Sequence, residues 1–92
     1  MGNQKIMKFV LGHIFTTPAV NEVLSIDEIY DLLIRHGTLE QGELGEEDYK
    51  MNLDAVKNGD RIFSCFKKHD EKFYVITEWD RSITTVLKPE EY

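Results

Sequence analysis

Apolar residues return at Ile6, Phe9, Val10 and Ile14, the i, i+3, i+4, i+8 spacing of one helical face, with Lys5, Lys8 and Gly12 opposite. This predicts a first helix over residues 3–15, ended by Pro18. Ser25 and Glu28 have the spacing of a capping box, and Leu24 and Ile29 that of a hydrophobic staple. A second helix is therefore expected over 26–36. Its predicted buried stripe is Ile26, Ile29, Tyr30 and Leu33; Arg35 and His36 lie at the negative end of its dipole, and Gly37 stops it. Tyr49, Leu53 and Val56 share one face of a third helix, about 46–57, which Asn58 and Gly59 close.

Beyond Gly59 the period falls to two. Ile62, Ser64 and Phe66 alternate with Phe63 and Cys65; after the break at His69, Asp70 and Glu71, the residues Phe73, Val75, Thr77 and Trp79 alternate with Tyr74, Ile76 and Glu78. That is a hairpin. Residues 80–82 make a second break, and Ile83–Leu87, rich in β-branched side chains, predicts a further strand stopped at Pro89. Val20–Leu24 fits a short strand ahead of the second helix. The expected fold class is α+β, with one domain over 1–92: a winged helix of three helices and an antiparallel hairpin with an extra C-terminal strand.

Charge changes the picture. Between Thr38 and Asp54 stand Glu40, Glu43, Glu46, Glu47, Asp48 and Asp54 against Lys50 alone, so this stretch carries five of the chain's six net negative charges. It falls on the approach to the third helix and along it, where a winged helix presents itself to DNA. Acid there repels phosphate, and a net charge of −6 also works against nucleic acid and anionic membranes. The first-turn acids have a local reason too, since a helix start favours negative charge by roughly 0.3 to 1 kcal/mol per exposed group. Cys65 is the only cysteine, no Cys/His series has zinc spacing, residues 1–15 show neither the apolar block nor the small-residue cleavage site expected of a signal peptide, and no apolar run reaches membrane length. A cytoplasmic protein without metal or cofactor is expected.

From Ser25 to Trp79 the chain resembles the small winged-helix module at the N-terminus of the delta subunit of Gram-positive bacterial RNA polymerase and related modules of chromatin and restriction proteins. The residues carrying the resemblance are Ser25-Ile26-Asp27-Glu28-Ile29-Tyr30, the turn Asn58-Gly59-Asp60-Arg61-Ile62-Phe63 and the return Lys72-Phe73-Tyr74-Val75-Ile76-Thr77-Glu78-Trp79. The added strand Ile83–Leu87 and the lack of a long acidic tail are departures from the polymerase subunit. The resemblance implies a bacterial or phage protein associated with transcription.

The expected function is a non-catalytic interaction module. Glu43, Glu46, Glu47, Asp48 and Trp79 are the candidate docking residues for a basic protein surface, RNA polymerase or another nucleic-acid enzyme. The competing plain reading is a solvated loop ahead of a well-started helix. The alternative function is a dimeric DNA-binding regulator using helix three and the wing, with Lys50, Arg61, Lys67, Lys68 and Lys72 as phosphate contacts; Asp70 and Glu71 at the wing tip oppose it. A Cys65–His69 nucleophile lacks every supporting motif, so no enzyme is expected. Phe63, Tyr74 and Trp79 suit a core or partner contact more than a base-stacking platform. The apolar first helix offers a homodimer surface.

Overall fold

The structure, a computed structural model, describes residues 6–92. Its elements are strand β1 (His13–Thr16), helices α1 (Pro18–Val23), α2 (Ile26–Gly37) and α3 (Glu46–Asn58), strands β2 (Ile62–Lys68), β3 (Glu71–Thr77) and β4 (Ile83–Leu87), and a terminal 3-10 turn, Pro89–Glu91. The class is α+β, with three helices and one mixed sheet of order β1-β4-β3-β2, in which only the β1–β4 pair is parallel.

The β2–β3 hairpin turns on His69 and Asp70, both left-handed with φ of 55° and 61°, as a two-residue hairpin that follows the strand twist requires. Its register sets Ile62, Ser64 and Phe66 opposite Thr77, Val75 and Phe73 on the inner face, and Phe63, Cys65 and Lys67 opposite Ile76, Tyr74 and Lys72 on the outer. Against the inner face α1 and α2 bury Val20, Leu24, Ile29, Leu32 and Leu33, which join Phe66, Phe73, Val75 and Val86 in one apolar cluster. The capping box forms as expected: the Glu28 amide donates to Ser25 Oγ at 3.2 Å, and the Ser25 amide to Glu28 Oε1 at 2.9 Å.

The N-terminal third departs from its periodicity. Residues 3–5 of the expected first helix lie outside the described residues; from Ile6 onward the segment is irregular and then becomes β1, so the expected homodimer face on helix one has no helix to occupy. Gly12 supplies a reason. Its φ is +67°, and its backbone passes so close to the carbonyls of Arg81 and Ser82 that a Cβ would overlap them. The β-branched Ile14, Thr16 and Thr17 follow, and β4 offers them a ladder. Val20–Leu24 is likewise no strand. Thr17 caps α1 by accepting from the Val20 amide, and Pro18 occupies the first turn, where its missing donor costs nothing; it starts a helix and does not end one. On α2 the buried stripe is Ile29, Leu32, Leu33 and His36, while Ile26 and Tyr30 face solvent. Trp79 lies beyond β3, in the connection to β4.

His36 is the largest revision. Expected as the cap of a helix end, it does lie in the last turn of α2, but it is 0% exposed and hydrogen-bonds Ser64 Oγ through Nδ1 at 2.7 Å and Thr77 Oγ1 through Nε2 at 2.8 Å. Thr77 contacts Thr84 at 2.7 Å, and Thr84 Oγ1 donates to the Leu11 carbonyl at 2.6 Å. The donor order follows from that end. Thr84 has one proton and spends it on a carbonyl, so it accepts from Thr77; Thr77 then accepts from His36 Nε2–H; and Nδ1, lacking a proton, accepts from Ser64. One neutral tautomer thus links α2, three strands and the N-terminal segment.

Arg81 makes a second tie, beside the Phe9 ring that also packs against His36. Its guanidinium donates to the carbonyls of Ala55 (3.0 Å), Asp60 (2.6 Å), Glu78 (3.2 Å) and Trp79 (3.3 Å) and stacks over Phe9 at 5.6 Å. Ala55 lies in the last turn of α3, where a cation also meets the dipole. Arg81→Ala should cost about 1 to 3 kcal/mol in urea unfolding, because several carbonyls lose a charged donor at once; Trp79 emission and anisotropy should report a loosened loop.

Candidate functional site

The start of α3 has no side-chain cap: Gly45 occupies the N-cap position, and Glu46, Glu47 and Asp48 fill the first turn, all exposed. Upstream, Gly42 (φ +57°) lays the chain against β2, so that the Glu43 amide donates to the Cys65 carbonyl at 2.8 Å while its side chain is in solvent. Asn52 continues the seal, accepting from the Phe63 amide (3.1 Å) and donating to the Phe63 carbonyl (2.6 Å). The outer edge of β2 is therefore occupied, and α3 is fastened to it by a polar clamp in place of a broad apolar stripe. That fastening fixes where the acids point.

Glu43, Glu46, Glu47 and Asp48 come together at one end of α3, and among the described residues none has an ion-pair partner. Glu40 is separate, bound to Arg35 at 2.9 Å. Trp79 is 67% exposed but is held by Arg81 beside the other end of α3; at about 1.5 Å per residue, the 13-residue helix puts the two features roughly 20 Å apart.

The five candidate cations do not form one patch. Lys68 turns to the helix side and binds Asp31 at 2.8 Å, Arg61 lies 3.8 Å from Glu78, and Lys50 is on α3 among the acids. Lys67 and Lys72 do pair across the hairpin on the outer face. Beside them Phe63 and Tyr74 pack at 4.6 Å between ring centroids, and both rings meet Tyr92 edge-on.

Between α3 and the start of β2 lies a groove of about 710 Å³. Met51, Ala55, Phe63 and Tyr92 give it an apolar wall, and Asp48, Asp54 and Asp60 stand around it. Arg61 also lines it, with its charge engaged by Glu78 and by the Tyr92 hydroxyl, to which it donates at 3.0 Å. From the sequence Asp48 and Arg61 are candidate site residues, Asp54 belongs to the acidic stretch and Phe63 is a core or partner contact, whereas Met51, Asn52, Ala55 and Tyr92 carry no such expectation. The i, i+3, i+7 spacing of Asp48, Met51 and Ala55 was the available signal; the approach of Tyr92 has none.

Cys65 and His69, near in sequence, go separate ways: the thiol is buried on the sheet, and the imidazole binds Glu28 on α2. Burial raises the Cys65 pKa, with Lys72 opposing and Glu43 adding to the rise. Among the described residues no helix is long and apolar enough to cross a membrane, and no three His, Cys, Asp or Glu side chains gather as a metal site would need. Comparison with family models, curated proteins and solved structures returns no match.

Proposed function

We propose that this chain is a non-catalytic interaction module of winged-helix type whose α3 end docks on a basic protein surface. One observation carries the reading: Glu43, Glu46, Glu47 and Asp48 are exposed together without counter-ions among the described residues, on the segment a groove-reading helix would turn to phosphate. Such a field raises the encounter rate with a cationic partner and repels a duplex. The helix–hairpin order of α1, α2, α3, β2 and β3 is compatible with a winged helix; the leading β1 strand, parallel to β4, is an addition to that plan. A link to transcription, through RNA polymerase or another nucleic-acid enzyme, rests on the resemblance over residues 25–79.

The test is a double charge reversal, Glu43→Lys with Glu47→Lys, read in capture experiments from host lysate and then against the purified partner. Loss of about tenfold or more in affinity, worth about 1.4 kcal/mol, is expected; unchanged capture would remove the docking reading. Lys67 facing Lys72 favours the second reading, a dimeric DNA-binding regulator. Salt-steep, sub-micromolar binding in a gel shift would establish it over the first.

A further inference from the structure

The groove between α3 and β2 has a chemistry of its own. Its wall is apolar and partly aromatic: Met51, 67% exposed, with Phe63 and Tyr92. Around it stand Asp48, Asp54 and Asp60, none of them ion-paired among the described residues. Among the described residues the one cation lining it is already committed, because Arg61 is shared between Glu78 and the Tyr92 hydroxyl. An apolar ligand would leave three carboxylates beside a drying surface, and an anion would meet their repulsion. A long side chain with an apolar stem and a cationic head satisfies both walls.

We propose that this groove receives a cationic side chain, an arginine before a lysine, from an extended basic peptide of the partner. Arginine is preferred for a physical reason: its flat guanidinium can lie on an aromatic ring while its fork reaches two carboxylates, and it sheds water more readily than an ammonium. Asn52 and the Arg81 contacts to Ala55 and Asp60 hold the two walls in place, so the site needs little rearrangement to bind. The inference rests on the docking reading above but names an adjoining surface, the flank of α3, which shares only Asp48 with its tip.

The experiment uses the whole chain, amide-labelled for NMR, titrated at low and moderate salt with a hexapeptide of alternating glycine and arginine, its lysine counterpart and its glutamate counterpart. Shifts at Met51, Asp60, Phe63 and Tyr92 with the arginine peptide, weaker with lysine and none with glutamate, are expected. The double variant Asp54→Asn, Asp60→Asn should bind about tenfold more weakly or worse, whereas Glu22→Gln, Asp27→Asn, which removes two exposed acids away from both surfaces, should change binding less than about twofold. All four sites are exposed, so both variants should fold, which the spectra themselves verify. Shifts confined to residues 43–47 would overturn the groove and leave the docking reading standing. Silence everywhere at low salt would overturn both.

Discussion

Replacing His36 by leucine should cost about 3 to 5 kcal/mol, a large share of the roughly 5 to 15 kcal/mol that holds a domain of this size. The loss has two sources. Ser64 and Thr77, both fully buried, would each lose a hydrogen-bond partner with no water to replace it, and the unidirectional chain to Thr84 and Leu11 would be cut in the middle. Combining His36→Leu with Ser64→Ala and Thr77→Val should recover part of the loss in denaturant titrations, because removing both partners of a buried bond is milder than orphaning one. A ring-nitrogen NMR spectrum should show the Nε2–H tautomer that the donor order demands.

The same histidine gives stability a pH dependence with a definite sign. Burial, and next the charge of Arg81, lowers its pKa to about 3 from an ordinary 6.5. Between those values the unfolded chain holds a proton on His36 that the folded chain refuses. Stability contributed by the neutral imidazole is therefore complete above about pH 6.5 and declines on acidification, by up to about 1.4 kcal/mol per pH unit, until about pH 3. Unfolding measured at pH 7 and pH 5 should show this slope in the native protein and its absence in His36→Leu. A shared slope would mean that the carboxylates alone cause it.

Gly42→Val should be nearly as damaging, at about 2 to 4 kcal/mol. The backbone there is left-handed, which a β-branched residue resists, and a Cβ would stand 2.4 Å from the Cys65 carbonyl oxygen and against the Phe66 ring. Relief requires the loop to lift from β2, which breaks the Glu43 amide bond to Cys65 and turns the acidic end of α3 away from its present position. A fall in urea midpoint with a loss of amide-exchange protection at Glu43 is expected. Gly59→Ala is the comparison: it is also left-handed, at φ +73°, but has open space around it, so about 1 kcal/mol is expected.

The elements whose signals are local are legible in the chain. The Ser25–Glu28 box starts α2 where its spacing says, the two-residue alternation places β2 and β3, and the β-branched run before Pro89 places β4. Glycine 59 ends α3 in the left-handed conformation such a stop requires. The N-terminal segment misleads because four apolar residues at helical spacing say nothing about whether a sheet edge waits to receive them. Thr17-Pro18 was readable as a cap with proline in the first turn, but proline read as a stop conceals a helix beginning.

The candidate site divides in the same way. The exposed acids at the start of α3 follow from composition and from the dipole, both properties of a short stretch of chain. Their separation from Trp79, the diversion of Lys68 to Asp31 and the meeting of Asp48, Asp60 and Tyr92 around one groove do not.

By itself the chain determines an α+β domain, the limits of α2 and α3, the hairpin and where the negative charge concentrates, since these depend on neighbours within a few residues. Only the tertiary structure decides that residues 13–16 are a strand, that His36 is a neutral buried link and that a groove opens beside α3. Each of those depends on groups tens of residues apart, whose pairing is set by burying polar atoms with their partners and not by any local period.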